Sequence, residues 1–193
     1  MSETIRLFIA VPLPDPVKRE LEKRCLTLRQ ELPFQKWVHP DDMHITLQFL
    51  GETPSGKADR IREELGRLAA ETEPMRLAIE GLGTFGKPSA PSILWAGVRG
   101  DVPQLAALQK RVEAAMEPLG FAAEGRAYSP HVTLARRYSG ASAFSRQAMP
   151  AWAGDALAWT AGDIVLYRSH LTRKPMYENI GSFRLLAQVS TAH

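Results

Sequence analysis

The chain has 193 residues, a length that suits one compact domain or two small lobes sharing a core. Its 45% hydrophobic and 23% charged residues are typical of a globular protein, and the mild net charge of +3 permits a phosphate-bearing substrate without requiring one. No apolar run reaches the ~20 residues of a membrane-spanning helix, and the start lacks the features of a signal peptide. Cys25 is the single cysteine, which excludes an internal disulfide and makes the cytoplasm the expected compartment.

The first half of the chain alternates strand and helix patterns. An apolar run at residues 6–13 has strand length, and residues 17–32 carry apolar side chains at helical spacing. The segment MHITLQFLG at residues 43–51 predicts the next strand. Residues 56–71 then predict a second helix, and a strand at residues 75–85 is expected to close the unit.

The second half repeats this order. Residues 93–100 predict a strand, residues 104–119 a helix, and YSPHVTLARR at residues 128–137 another strand. A weaker and shorter helix pattern follows at residues 141–152. Two strands are expected to close this unit, at residues 164–171 and 178–186.

The two halves align without a gap at a spacing of 87, the difference between positions 131 and 44. Between residues 6 and 47 this alignment gives eleven identities, where random matching would give roughly three. We interpret the pattern as an internal duplication, with repeats at roughly 5–86 and 92–186 inside one domain spanning 1–193. The predicted fold is α+β, with two pseudo-symmetric lobes that are each an antiparallel sheet backed by helices.

Each repeat carries a histidine and a threonine two residues apart. Because side chains alternate along a strand, His44 and Thr46 share one face, and His131 and Thr133 repeat the arrangement. An approximate two-fold axis would place both imidazoles in the cleft between the lobes. One histidine could then take a proton from water while the other protonates an oxygen leaving phosphorus, because a pKa of about 6.5 keeps both forms available. The threonine hydroxyls could donate hydrogen bonds to the phosphate oxygens.

At these residues the chain resembles the two-histidine phosphoesterase superfamily. The segments RLFIAVPLP, HITLQFLGE, YSPHVTLARR, VLYRSHL and YENIGSFRL are most similar to the bacterial and archaeal RNA 2′,3′-cyclic phosphodiesterases, also called 2′-5′ RNA ligase-like proteins. The resemblance implies hydrolysis of a 2′,3′-cyclic phosphate to a 2′-phosphate without metal or cofactor, together with reversible 2′-5′ RNA ligation.

The resemblance also implies roles for individual residues. The family's catalytic pair falls on His44, as the acid for the leaving 3′ oxygen, and on His131, as the base for water. The near symmetry of the site makes these two roles easy to exchange. The family's phosphate-holding threonines fall on Thr46 and Thr133.

An arginine five residues after the second histidine completes the family's site, and here it is Arg136. Simple alternation instead places Arg137 on the face of His131. Arg136 reaches that face only if β-pairing is interrupted by a bulge or a strand end near Ala135. We expect Arg136 to grip phosphate through two hydrogen bonds.

Other polar and aromatic residues are interpreted as structural. His39 and His170 do not recur at equivalent positions of the repeat, and Asp41 with Asp42 is interpreted as the turn that starts a strand, not as a metal site. Four tryptophans are interpreted as packing groups: Trp37, Trp95, Trp152 and Trp159. The sequence does not indicate which aromatic side chain would stack on a base. Two residues are candidates for the rim of the cleft: Arg168 and Tyr177.

The leading functional hypothesis is an enzyme, because both motifs are intact. The alternatives are an RNA-end binding module with little catalysis, or a phosphodiesterase for another cyclic phosphate or for 2′-5′ oligoadenylate. The expected partners are RNA ends or nucleotides carrying a 2′,3′-cyclic phosphate, with no membrane. A monomer is expected because the duplication supplies both half-sites within one chain.

Overall fold

A computed structural model describes residues 3–187 of the chain and has the predicted α+β class. In this range the α-helices are α1 (Asp15–Glu31), α2 (Ala58–Ala70) and α3 (Val102–Met116). The strands are β1 (Thr4–Pro12), β2 (Phe34–Trp37), β3 (His44–Pro54), β4 (Met75–Lys87), β5 (Ala90–Gly100), β6 (His131–Tyr138), β7 (Leu157–Ala161), β8 (Asp163–Ser169) and β9 (Tyr177–Arg184). None of the helices in this range has the length and apolar character needed to cross a membrane.

The strands form one antiparallel sheet that divides into two lobes. Their order is β7-β4-β5-β6-β3-β1-β8-β9, and β2 pairs with β6. At the middle, β3 and β6 pair through Ile45 opposite Val132, and both side chains are fully buried. The first lobe contains β3, β1, β8 and β9, and the second lobe contains β6, β2, β5, β4 and β7. The predicted pair of antiparallel lobes is therefore confirmed.

The closing strands are exchanged between the lobes, so the prediction that each half closes its own sheet is wrong. Strand β4 comes from the first half but pairs with β5, while β8 and β9 come from the second half and extend the sheet from β1. The connection at residues 88–89 is short enough to make β4 and β5 a hairpin. Periodicity along a strand identifies the strand but does not identify its neighbour.

The segment 141–152, which the structure describes throughout, holds a short 3₁₀ turn at Arg146–Ala148 in place of the predicted helix. Ser142, Ser145 and Pro150 explain the difference, because serine competes for backbone hydrogen bonds and proline blocks a helix interior. Strand β2 was not predicted, since its four residues are too few to show a period.

The core lies between the helices and one face of the sheet. Buried helix residues recur three or four positions apart, as the sequence predicted: Val17, Leu21, Cys25 and Leu28 in α1, Ile61, Leu65 and Leu68 in α2, and Leu105, Leu108, Val112 and Met116 in α3. Burial raises the pKa of the Cys25 thiol to about 12, so Cys25 packs as an apolar side chain. The opposite face of β3 and β6 carries the histidines and threonines and is open to the cleft.

Candidate active site

Matching bulges shape the two strands that carry the histidines. Relative to β1, Leu47 is an extra residue in β3, and relative to β5, Leu134 is an extra residue in β6. In each strand the extra residue and the next one are both buried, so the alternation shifts by one position. The shift brings Phe49 and Arg136 to the cleft face at equivalent places of the two repeats.

The bulge predicted near Ala135 is therefore present, and it selects between the two arginines. Arg136 is partly buried on the face of His131, whereas Arg137 is exposed and has a φ of 61°. Burial lowers the pKa of both His131 and His44, and the positive charge of Arg136 adds to the effect at each imidazole.

The ring of His44 is held by a hydrogen bond at each nitrogen. Its Nδ1 lies 2.6 Å from the carbonyl oxygen of Asp42, and its Nε2 lies 2.9 Å from Oγ1 of Thr46. Because a carbonyl oxygen can only accept, the Nδ1–H donates to Asp42, and Nε2 of the neutral ring accepts from the Thr46 hydroxyl. Phe8 and Tyr177 pack on the imidazole, with ring centroids 4.8 and 5.4 Å from it.

The ring of His131, in the other lobe, is held by a hydrogen bond at Nδ1. Its Nδ1 lies 2.8 Å from the carbonyl oxygen of Ser129, again two residues earlier in the chain. The Phe85 ring meets the imidazole edge-on with centroids 4.9 Å apart, and Trp95 lies 6.4 Å away. In both repeats the local backbone therefore fixes the tautomer whose Nε2 carries the lone pair.

Burial lowers the pKa of both histidines. For His44 the value falls from 6.5 to about 4, mainly because burial disfavours the cation, and the charges of His131 and Arg136 add to the effect. The hydrogen bond to the Asp42 carbonyl acts in the opposite direction. His131 is less deeply buried, and its pKa is lowered by burial and by Arg136. At neutral pH both imidazoles of the free protein are therefore predominantly neutral.

Asp42 does more than form a turn, which is the role that the sequence predicted for it. The 3₁₀ turn Pro40–Asp42 is present, but Asp42 is also buried, at 5% exposure. Its two carboxylate oxygens accept hydrogen bonds from the backbone N–H groups of Met176 and Tyr177, at 2.8 and 3.0 Å. Asp42 thus joins the start of β9 to the turn that holds His44. No local pattern could reveal this role, because the partners lie 134 and 135 residues away in the sequence.

Three aromatic side chains of the first lobe surround His44, and the sequence indicated one of them. Tyr177 was a candidate for the rim and lies in the cleft, whereas Phe8 and Tyr167 were not singled out. Burial raises the pKa of Tyr167 to about 12, so its phenol stays protonated. From the second lobe, the Tyr128 hydroxyl donates to the backbone carbonyl of Thr46 at 2.8 Å and so ties the two lobes together.

A cleft of about 530 Å³ is lined by Arg136 and by three residues that contact His44, namely Phe8, Asp42 and Tyr177. The first lobe contributes Arg6, Phe8, Phe49 and Tyr177, the second contributes Lys36, Trp37 and Arg136, and the connection before β9 contributes Leu171, Lys174 and Met176. The aromatic neighbours of His131, Phe85 and Trp95, do not line this cleft. The space for a ligand is therefore asymmetric although the strands are pseudo-symmetric.

The remaining sequence candidates take different places. His39 lines the cleft, and its Nδ1 accepts from the backbone N–H of Asp41 at 3.2 Å. His170 pairs with Glu178 at 2.6 Å, and Arg168 reaches Glu3 at 3.5 Å on a separate shallow surface. Two of the tryptophans predicted to be packing groups reach the cleft region: Trp37 in its lining and Trp95 beside His131. Within residues 3–187 no three His, Cys, Asp or Glu side chains form a group with metal-ligand geometry.

Comparison with known proteins identifies the family. Residues 13–173 match the model of the 2′-5′ RNA ligase superfamily. The chain belongs to this superfamily. The resemblance inferred from the two His-x-Thr motifs is thus confirmed.

Relatives of the superfamily extend over nearly the whole chain. An RNA 2′,3′-cyclic phosphodiesterase of Geobacillus stearothermophilus is 39% identical over 93% of this chain, which spans 57% of that protein's length. One of Bacillus subtilis is 32% identical over 92% of this chain and 95% of its own length. A Thermus thermophilus crystal structure superposes with a TM-score of 0.80 at 30% identity, over 96% of this chain and all of the other. E. coli LigT complexed with 3′-AMP has the same fold, with a TM-score of 0.79 at 22% identity and the same coverage.

Replacing Asp42 with alanine should lower the free energy of unfolding by roughly 3 kcal/mol, because two buried N–H groups lose a charged acceptor. Urea unfolding at neutral pH measures the loss. Asp41→Ala is the matched control: the Asp41 carboxylate is exposed and only approaches His39, at 3.9 Å, so its removal should change stability by less than about 1 kcal/mol. Equal effects of the two substitutions would contradict the role assigned to Asp42.

Proposed function

We propose that the chain hydrolyses the 2′,3′-cyclic phosphate of an RNA end or nucleotide to a 2′-phosphomonoester. The observation that carries the proposal is the pair of imidazoles on the equivalent strands β3 and β6. Each imidazole donates its Nδ1–H to a backbone carbonyl, and a threonine follows each histidine two residues later. The names of the Geobacillus and Bacillus relatives support the same activity.

His131 is the base and His44 the acid in this proposal. His131 takes a proton from water as the water oxygen bonds to phosphorus, and the bond from phosphorus to the 3′ oxygen breaks as that oxygen takes a proton from His44. In-line displacement puts the nucleoside on the side of the acid. The position of the cleft supports this assignment, because two aromatic neighbours of His44 line it and the aromatic neighbours of His131 do not.

The remaining groups hold the phosphate. The hydroxyls of Thr46 and Thr133 donate to its non-bridging oxygens, and the Arg136 guanidinium compensates the charge that builds during displacement. In the free protein the Thr46 hydroxyl donates to His44, so an arriving phosphate takes over this donor. The negative charge of the substrate also raises the pKa of His44. The bound substrate therefore favours the protonated His44 that the free protein lacks at neutral pH.

The proposal extends to the molecule as a whole. A 5′-hydroxyl in place of the water would give 2′-5′ ligation through the same acid and base. We propose that residues 1–193 act as one two-lobed domain derived from a duplication, as a monomer in the cytoplasm and without a metal. The two half-sites within one chain support the monomer, and substrates with 2′,3′-cyclic phosphates are the proposed partners.

Hydrolysis of a 2′,3′-cyclic nucleotide in the presence of EDTA tests the function directly. The native protein should form the 2′-phosphate, and His44→Ala and His131→Ala should each lower kcat by ~10²–10⁴-fold, the usual contribution of one proton transfer. His170→Ala, which removes an imidazole outside the cleft, is the control and should retain activity. Binding without turnover would favour an RNA-end binding module, and activity surviving either cleft substitution would refute the proposed site.

Arg136→Lys should lower kcat/KM by roughly 10- to 100-fold, because lysine cannot form the two-pronged hydrogen bond to phosphate. Arg137→Lys keeps the same charge at the exposed neighbouring position and should leave kcat/KM nearly unchanged. Both constants come from initial rates with a cyclic nucleotide. Equal losses in the two variants would show that the bulge does not select Arg136.

The pH optimum of kcat/KM should lie below 6.5, the ordinary pKa of histidine. Catalysis needs one protonated and one neutral imidazole, and because both pKa values are lowered, this state is most populated below that pH. As the pH rises further, the free protein loses its last imidazole proton and kcat/KM falls. A profile at constant ionic strength checks this, and a maximum above neutral pH would contradict the lowered pKa values.

A further inference from the structure

The cleft beside His44 carries more positive charge than the reacting phosphate uses. Arg136 and the two threonines are already assigned to that phosphate. Four further cationic side chains line the same cleft: Arg6, Arg29, Lys36 and Lys174. The one carboxylate in the lining is Asp42, and both of its oxygens are occupied by backbone N–H groups.

Three of these cations, Arg29, Lys36 and Lys174, have no carboxylate within 4.0 Å among residues 3–187. Arg6 pairs with Glu52 at 3.1 Å, but no carboxylate of this range lies within 4.0 Å of the Lys36 or Lys174 ammonium group. The Lys36 Nζ contacts the sulfur of Met176 at 3.8 Å, which does not compensate a charge. Lys36 also lies opposite Arg136 in the pairing of β2 with β6, so the positive charge continues from the reacting phosphate outward.

Aromatic side chains accompany these charges. The Phe49 side chain is 61% exposed, and the β3 bulge turns it to the cleft face, where Arg136 stands in the other repeat. Trp37 of the second lobe also lines the cleft, and the Arg29 guanidinium lies 5.6 Å from its ring centroid. Cations that follow a backbone, interleaved with aromatic faces on which bases stack, are the usual means of holding single-stranded nucleic acid.

We propose that this cleft binds the nucleotide that precedes the cyclic-phosphate end of a single-stranded RNA. The proposal rests on the proposed function, since the terminal nucleoside must lie on the side of His44. Lys36 and Lys174 contact the phosphates on the 5′ side of that nucleoside, and Phe49 stacks on a base. A duplex does not fit the proposal, because a base must leave its stack to lie on Phe49.

Substrate length provides the test. We compare kcat/KM for a nucleoside 2′,3′-cyclic phosphate and for a single-stranded tetranucleotide ending in the same group. The tetranucleotide should be better by tenfold or more, roughly the effect of one stacked base, and the gain should appear mainly in KM. Its kcat/KM should also fall more steeply with salt, by about 0.7 in logarithmic slope for each phosphate contacted.

The double variant Lys36→Ala/Lys174→Ala should raise KM for the tetranucleotide by roughly tenfold and reduce the salt slope by about 1.4, while hydrolysis of the mononucleotide stays unchanged. Lys23→Ala/Lys110→Ala is the matched control, because it removes the same charge from residues that do not line this cleft. Phe49→Leu, which keeps an apolar side chain but removes the aromatic face, should also weaken only the tetranucleotide.

The outcomes separate this proposal from the proposed function. If the native protein hydrolyses the mononucleotide and tetranucleotide equally well, the cleft does not bind a preceding nucleotide and the inference is wrong. Equal effects of the lysine variant and its control would also overturn it. If neither substrate is hydrolysed in EDTA, the proposed function itself fails.

Discussion

The cleft depends on one place in the sheet, the pairing of Ile45 with Val132. This pair joins β3 to β6 and lies fully buried in the core. Beyond it the two strands separate, so that each continues into its own lobe. Because the pair is apolar and faces the core, the residues on either side of it face the cleft. His44, Thr46, His131 and Thr133 are therefore brought together by the packing of their neighbours.

Bulges at equivalent positions of the two repeats produce different chemistry on the two sides. In β6 the shifted alternation brings the cation Arg136 to the cleft, whereas in β3 it brings the exposed aromatic ring of Phe49. The histidines also differ in their surroundings, since the deeper burial of His44 lowers its pKa further than that of His131. An approximately symmetric scaffold thus presents two chemically different sides of the cleft, as the proposed reaction requires.

The exchange of closing strands adds contacts that position the site. Strand β9 belongs to the second half of the sequence but lies in the first lobe, where the buried carboxylate of Asp42 accepts hydrogen bonds from its first residues. The Tyr128 hydroxyl makes a contact in the reverse direction, from the second lobe to the β3 backbone. Each half of the chain thereby contributes contacts that position the functional strand of the other half.

The sequence by itself determined the α+β class, the duplication and the two His-x-Thr pairs, because strand alternation and helical spacing are local properties that a repeat displays twice. It also indicated Arg136, through the family resemblance and the bulge that this residue requires. The tertiary structure alone decided which strands close each lobe, the role of Asp42, the aromatic surroundings of His44 and the position of the cleft. Most of these features rest on contacts between residues far apart in the sequence, and the others on the side of a strand from which a neighbour approaches. Local periodicity carries no information about either, because both are set by how the lobes pack.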